Sequence, residues 1–149
     1  MSIHGIVLAK QLFYNIKMLF KSVLSFVFLF LYFQPEMPIQ ADIADDLAFH
    51  FKQGNTKEIA KNFATSVELI IIDQEDVYNR AQAEQILKDF FLKNPPLKST
   101  IIHKLSNNPN YRLAILSLNT KTEKFRVTIT MKKFSNNFLI NELRIEIDR

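Results

Sequence analysis

Apolar and polar residues alternate most clearly in the last forty residues of the chain, where three strand-like runs follow one another. The runs are Tyr111–Thr120, Lys124–Lys133 and Phe138–Ile147, and short polar turns separate them. Alternation with period two is typical of a half-buried strand. The pattern therefore predicts an antiparallel meander with one buried face. In the middle run the apolar face consists of Phe125, Val127, Ile129 and Met131.

Two short helices are predicted at the start of the part of the chain that folds. Residues Asp42–Gln53 place apolar side chains at helical spacing, and the following Gly54 is typical of a helix C-terminus. Asn55 followed by Glu58 is the pairing of a capping box, which predicts the start of the second helix. The apolar side chains expected on that helix are Ile59, Ala60, Phe63 and Ala64.

A strand, a third helix and another strand precede the meander. Asn79 with Gln82 predicts the start of the third helix, and two consecutive prolines after Asn94 end it. The predicted elements are Ser66–Ile72 (strand), Ala81–Lys93 (helix) and Lys98–Leu105 (strand), with Asp76–Tyr78 as an open alternative for one more short strand. This order predicts an α+β fold in which three N-terminal helices pack on a curved antiparallel sheet.

The first 41 residues have the organisation of a secretory signal peptide. Lysines precede an apolar stretch of twelve residues, 22–33, and a polar segment then leads to the small residue Ala41. A helix of twelve residues spans about 18 Å, less than the roughly 30 Å hydrocarbon core of a membrane. We therefore expect cleavage near Ala41, leaving residues 42–149 as a single periplasmic or extracellular domain. The alternatives are a membrane anchor formed by uncleaved residues 18–33 and a true start at Met18.

Composition excludes several classes of protein. The chain of 149 residues has no cysteine and two glycines, which excludes disulfides, thiolate metal sites and a Gly-rich phosphate loop. The net charge is +4, and from Asp42 onward 16 Lys and Arg residues face 14 Asp and Glu residues. A surplus of two does not indicate a nucleic-acid-binding surface. The three histidines do not form a metal-binding motif, so we expect no metal and no cofactor.

Short motifs throughout the folded part resemble those of a known family. They are the Gly54-Asn55 turn, the Val67–Ile72 strand, Tyr78–Glu84 leading into Phe90-Phe91, Ile102-His103, Phe125–Val127 and the closing Ile140–Ile147 strand. Together they resemble a family of small exported bacterial proteins of unknown function, the DUF4783 family, best known from Bacteroidetes. The resemblance covers nearly all of residues 42–149. It implies the cone fold of the nuclear-transport-factor-2-like (cystatin-like) superfamily, and it implies no catalytic signature.

The resemblance also implies a pocket inside the cone. Some members of the superfamily are isomerases or dehydratases that use Asp, His and Tyr side chains there. The corresponding candidates for catalysis are Asp73, Asp76, Tyr78 and His103. His103 shares a strand face with Ile101 and Leu105, so we expect its side chain to point inward. The residues expected to line a ligand pocket are His50, Tyr78, Phe90 and His103.

The outer face of the sheet is a second candidate for binding. Phe138, Ile140 and Leu116 are out of phase with the inward set, and we expect them on the outside. A rim of charged side chains around such an apolar patch would suit a symmetric dimer. The rim residues are Arg126, Glu142 and Arg144.

The sequence favours a non-enzymatic domain that binds a small ligand or a protein partner through the cone pocket or the sheet face. One alternative is a small isomerase-, dehydratase- or hydrolase-like enzyme that uses the pocket. Another is a self-associating structural protein. A nucleic-acid partner is not expected, and contact with a membrane is expected only through the signal segment before cleavage.

Overall fold

The computed structural model describes residues 10–21 and 42–149. Residues 10–21 form a helix, α1, and belong to a different compact unit from residues 42–149. The predicted apolar core of the signal peptide, residues 22–33, and the predicted cleavage site at Ala41 lie outside the described residues. No helix in the two described ranges is long and apolar enough to cross a membrane.

Three helices and six strands make up residues 42–149. The helices are α2 (Ile43–Gln53), α3 (Thr56–Lys61) and α4 (Arg80–Lys93). The strands are β1 (Phe63–Ile71), β2 (Gln74–Asn79), β3 (Pro96–Leu105), β4 (Tyr111–Thr120), β5 (Lys124–Phe134) and β6 (Asn137–Ile147). They form one sheet in the order β2-β1-β6-β5-β4-β3. The predicted α+β fold with helices packed on a sheet is confirmed. The sheet is mixed rather than purely antiparallel, because β1 runs parallel to β6.

Side-chain caps determine where two of the helices begin, and the cap of α4 is the one that the sequence predicts. The carboxylate of Asp42 accepts a hydrogen bond from the Ala44 amide (3.2 Å) at the start of α2. At the start of α4, Asn79 and Gln82 form a reciprocal capping box, with each side chain bound to the other residue's amide. Both caps satisfy backbone donors that the first helical turn leaves without partners.

Helix α3 is shorter than expected, and the expectation that it carries Phe63 and Ala64 was wrong. Asn55 caps it, but Glu58 pairs with Lys61 (2.7 Å) instead of completing a capping box. The carbonyl of Asn62 accepts a hydrogen bond from the Ile140 amide of β6 (2.7 Å). The chain therefore leaves the helix at this point to join the sheet.

The hydrophobic core lies between helices α2–α4 and one face of the sheet. The predicted inward set on β5 is confirmed, since each of its four side chains is at most 2% exposed. Aromatic contacts connect the helices to the sheet, with the ring of Phe90 5.1 Å from that of Phe125 in an edge-to-face arrangement. The largest helical contributors are Leu47, Phe51, Ile59 and Leu87.

A β-bulge on β6 changes which residues face the core. Thr130 pairs with Glu142, but Met131 pairs with Ile140, which leaves Asn141 as an extra residue. An extra residue reverses the alternation of side chains along the strand. Ile140 is consequently fully buried, and Phe138 packs against the core. Leu116 on β4 is also fully buried, so the expectation that these three residues face outward was wrong.

A second bulge changes the orientation of His103 on β3. Ile101 pairs with Leu116, whereas His103 pairs with Ile115, so Ile102 is the extra residue. Because Leu116 faces the core and Ile115 faces away from it, the bulge places His103 on the outer face. His103 is exposed, and the expectation that it points inward was therefore wrong.

Both edge strands carry features that hinder pairing with another strand. On β2, the register with β1 directs alternate amides away from the sheet. Two of these outward amides bind side chains: Val77 donates to Asp76 (2.7 Å) and Asn79 donates to Gln82 (3.2 Å). On β3, Leu97 and Ile102 are bulged residues that interrupt the ladder. Each edge is therefore a poor template for an added strand.

Candidate functional site

A cleft of about 490 Å³ lies between α4 and the turn that joins β1 to β2. Ile71, Ile86 and Phe90 form its apolar wall, and we call it the α4–hairpin cleft. Its volume lies within the range of roughly 300–1,000 Å³ that is typical of small-molecule sites. The remaining lining residues are Ile72, Asp73, Gln74, Asp89, Lys93 and Asn94.

The spacing of residues along α4 explains why they meet at the cleft. Four lining residues recur at helical spacing and therefore share one face of the helix. They are Ile86, Asp89, Phe90 and Lys93. Asn94 closes the end of that face. Its side chain donates to the carbonyl of Phe90 (3.1 Å) and accepts from the hydroxyl of Thr122 (2.7 Å). These bonds hold the C-terminal end of α4 against the turn between β4 and β5.

The turn on the other side of the cleft contains a strained residue. Ile72 has a φ of 59°, a left-handed conformation that is unusual for a β-branched side chain. It is the first residue of a two-residue turn closed by Ile71 and Gln74, a position where glycine is usual when φ is positive. Its amide donates to the Ile145 carbonyl (2.8 Å), and its side chain is 42% exposed. Such strain clusters at binding sites, which supports the cleft as the candidate site.

Replacing Ile72 with glycine is expected to raise the free energy of unfolding by about 1 kcal/mol, because glycine adopts a positive φ without the steric cost. Urea denaturation measures the change. Ile72→Ala is the matched control, since it removes the same side chain but keeps a Cβ atom. An alanine variant as stable as the glycine variant would show that the turn stores no strain.

A charged cluster lies at the start of α2. The ammonium of Lys104 is 3.1 Å from the carboxylates of both Asp42 and Asp45. The guanidinium of Arg112 is 4.0 Å from Asp42 and 4.0 Å from the centre of the Phe138 ring. The sequence pattern does not reveal this cluster, because its members come from α2, β3, β4 and β6. The only local signal was the acidic first turn of α2.

The cluster lowers the pKa of Asp42. Burial alone would raise that pKa, but the Ala44 amide and the Lys104 ammonium together outweigh burial and hold it below its ordinary value. The carboxylate of Asp42 therefore contributes to stability in its ionised form. It caps α2 and connects that helix to β3 at the same time.

Replacing Asp42 with alanine is expected to lower the free energy of unfolding at neutral pH by about 1–2 kcal/mol, because the helix cap and the ion pair are both lost. The folded pKa is below the unfolded value of about 3.9, so the contribution of Asp42 is present above that value and disappears as pH falls through the folded pKa. The two proteins should therefore converge in stability as pH falls through the folded pKa of Asp42, at values below about 3.9.

Chemical denaturation at a series of pH values measures this convergence. Asp46→Ala is the matched control, because Asp46 lies in the same helical turn and its carboxylate makes no hydrogen bond or ion pair with the described residues. A difference for Asp42→Ala that stays constant into strong acid would refute the role of its ionised carboxylate.

Comparison with known proteins places the chain in a family. The family model described as "Domain of unknown function (DUF4783)" matches residues 44–146. The chain belongs to this family. No curated protein matches it.

Solved structures show the same fold. A DUF4783 family protein from Bacteroides uniformis is 24% identical, with a TM-score of 0.69, and the match covers 72% of this chain and 99% of that one. One from Bacteroides fragilis is 27% identical, with a TM-score of 0.66 and coverage of 72% and 100%. A domain of unknown function with a cystatin-like fold from Nostoc punctiforme is 11% identical, with a TM-score of 0.56 and coverage of 73% and 80%. The fold of this DUF4783 chain is therefore of the cystatin-like type, as the sequence predicts.

The α4–hairpin cleft of this DUF4783 domain contains two of the residues proposed from the sequence. Asp73 lies on its rim, and Phe90 lies on its apolar wall. Tyr78 is half-buried on β2, and Asp76 on the same strand binds the Val77 amide. Neither of these two residues lines the cleft. His50 is half-buried on α2, and its ring packs edge-on against Phe49 with 5.5 Å between ring centres.

The structure does not assemble the Asp, His and Tyr set that the resemblance implies for catalysis. Tyr78 is on β2 and His103 is on β3, which are the two opposite edge strands of the sheet. Asp73 lies in the β1–β2 turn, far along the sheet from His103. Within residues 10–21 and 42–149, no three His, Cys, Asp or Glu side chains are grouped so that they could hold a metal ion.

Proposed function

We propose that this DUF4783 domain is a non-enzymatic binding domain whose α4–hairpin cleft holds a small molecule with an apolar body and a cationic end. The observation that carries the proposal is the composition of the cleft. Three apolar side chains form its wall, and its charged groups are two carboxylates, Asp73 and Asp89, against one ammonium, Lys93. Apolar walls supply affinity in such sites, and a few polar groups supply orientation.

The two carboxylates differ in how they are held. Asp89 accepts a hydrogen bond from the side chain of Gln85 (2.9 Å), one helical turn before it. Within the described part of the chain, the carboxylate of Asp73 has no hydrogen-bond or ion-pair partner. A cationic ligand would therefore pair with Asp73 without breaking an existing contact. Its apolar body would rest against Ile86 and Phe90.

The test uses octylammonium as the probe and residues 42–149 as the protein. The matches with the two Bacteroides relatives cover 72% of this chain and 99% or 100% of theirs. In those relatives the corresponding domain therefore folds by itself. Amide chemical shifts of Ile71, Ile86 and Phe90 should change on titration. Asp73→Asn should weaken binding about fivefold, the effect of one exposed charge pair, while Asp76→Asn should not. Two results would overturn the proposal. Octanol that binds as tightly as octylammonium would show that the positive charge contributes nothing, and chemical-shift changes confined to residues outside the cleft would place the binding elsewhere.

We also propose that the protein is exported and cleaved near Ala41. The basic and apolar segments before residue 34 support this, and so does the position of Asp42. Asp42 caps α2, so the folded domain would begin at the first residue after cleavage. N-terminal sequencing of the mature protein from a cell envelope fraction tests the proposal. A membrane-bound product that begins at Met1 or Met18 would support the anchored alternative instead.

A symmetric dimer through the outer sheet face is a second proposal. The apolar residues on that face are Leu105, Leu113 and Ile115, and Leu105 pairs directly with Leu113 in the sheet. This set differs from the one expected from the sequence, whose three members lie in the core. The charged residues of the expected rim lie on the neighbouring strands. Arg126 is on β5, the strand next to Leu113 and Ile115, and Glu142 and Arg144 are one strand further across the sheet, on β6.

Sedimentation of residues 42–149 over a range of concentrations tests the dimer. Ile115→Lys should shift the protein to a monomer, because it places a charge in the apolar part of the interface. Leu92→Lys, on the exposed face of α4, is the matched control and should leave the association unchanged. A monomer at every concentration of the unmodified protein would end the proposal.

A further inference from the structure

A second groove, of about 350 Å³, lies on the other side of α4 from the cleft. One wall is the turn between α2 and α3, and the other is the end of α4 with the two prolines that follow it. We call it the lysine groove. Its lining residues are Gln53, Gly54, Asn55, Thr56, Lys57, Lys88, Phe91, Leu92, Pro95 and Pro96.

The shape of the groove depends on a close approach between its two walls. Gly54 has a φ of 62° and reverses the chain after α2. A Cβ atom at Gly54 would lie 3.3 Å from Cγ of Pro96, which shows how closely the turn contacts the proline segment. The two walls therefore approach each other closely at one end of the groove.

Apolar side chains at the groove and directly after it in sequence are exposed to solvent. Leu92 is 70% exposed, and Leu97, directly after the two prolines, is 55% exposed. Single exposed leucines are common on protein surfaces. Here Leu92 and the two prolines line one groove together with the buried residue Phe91, and Leu97 follows the prolines directly in sequence.

The charged groups of the groove have one sign. Lys57 and Lys88 line it, and no Asp or Glu does. Within the described residues, no carboxylate lies within ion-pair distance of either ammonium. The α4–hairpin cleft has the opposite composition, with two carboxylates and one ammonium. Helix α4 thus separates an acidic cleft from a basic groove.

We propose that the lysine groove binds a medium-chain carboxylic acid. Its carboxylate would lie between Lys57 and Lys88, and its alkyl chain would cover Leu92, Pro95 and Pro96. The charge is complementary, and an apolar chain would remove exposed apolar surface from water. The volume of about 350 Å³ is at the small end of ligand sites, which fits a small molecule better than a protein segment. This site is independent of the function proposed for the cleft.

The test is an NMR titration of residues 42–149 with decanoate below its micelle concentration. Amides of Gly54, Lys57 and Leu92 should shift, and those of Ile71 and Asp73 should not. The double variant Lys57→Gln, Lys88→Gln should weaken binding about tenfold, as expected for two exposed charge pairs. The double variant Lys132→Gln, Lys133→Gln removes the same charge from exposed positions on β5 and should bind decanoate as the unmodified protein does.

Four results would overturn the proposal. They are equal binding of decanol, which has no charge; shifts confined to the α4–hairpin cleft; no shift at millimolar decanoate; and tighter binding of a short peptide that ends in leucine with a free carboxylate. The last would assign the groove to a protein terminus rather than to a small acid. The octylammonium titration tests the cleft separately, so failure of the lysine-groove proposal can be distinguished from failure of the cleft proposal.

Discussion

Replacing Phe125 with alanine is expected to lower the free energy of unfolding by about 3–5 kcal/mol. Phe125 is 2% exposed, and its ring makes the edge-to-face contact with Phe90 that connects α4 to the sheet. The loss combines removal of a large apolar side chain with a cavity that rigid strands cannot close. Since whole domains are stable by only about 5–15 kcal/mol, a measurable fraction of the variant should be unfolded at 37 °C.

Urea denaturation and thermal unfolding measure this loss. Phe134→Ala is the matched control, because Phe134 is on the same strand but is exposed at its end. That variant should change the free energy of unfolding by less than about 1 kcal/mol. A loss of similar size for both variants would mean that the contact between α4 and β5 is not where the core is most tightly packed.

Replacing Gly54 with valine is expected to lower the free energy of unfolding by about 2 kcal/mol. The left-handed conformation of Gly54 is costly for a β-branched residue, and the new Cβ atom would press on Pro96. Gly54→Asn is the matched variant, since asparagine meets the same proline but tolerates the left-handed conformation better. The asparagine variant should therefore lose roughly half as much stability. Equal losses in urea denaturation would assign the effect to the proline contact alone.

The features that sequence predicts well in this chain are local ones. The capping box of Asn79 and Gln82 and the cap at Asn55 depend on residues within three positions of each other. The inward set on β5 depends on alternation along a single strand. A residue's own neighbours determine these features, so the pattern along the chain contains the information.

The features that were missed depend on distant parts of the chain. The bulges at Asn141 and Ile102 reverse the faces of Ile140 and His103, and strict alternation cannot show an extra residue. Helix α3 ends early because Asn62 binds β6. The parallel pairing of β1 with β6 is likewise invisible in either strand's own pattern.

The candidate site was predicted only in part, for the same reason. Asp73 and Phe90 were both expected at the cone pocket, but the other four residues expected there do not line the cleft. Asp73 and Phe90 meet because the β1–β2 turn folds back beside the last turns of α4. The lysine groove likewise joins residues from the α2–α3 turn and from the end of α4.

The protected edges of the sheet limit how copies of the domain can assemble. Strand-by-strand growth needs a free edge on each copy, and here side-chain hydrogen bonds obstruct one edge while bulges interrupt the other. Copies can then associate only through the faces of the domain. An interface that pairs with itself about a two-fold axis closes as a dimer and leaves no free copy of that interface for a third molecule. Raising the protein concentration should therefore not seed fibrils, and the dimer proposed above would be a closed pair.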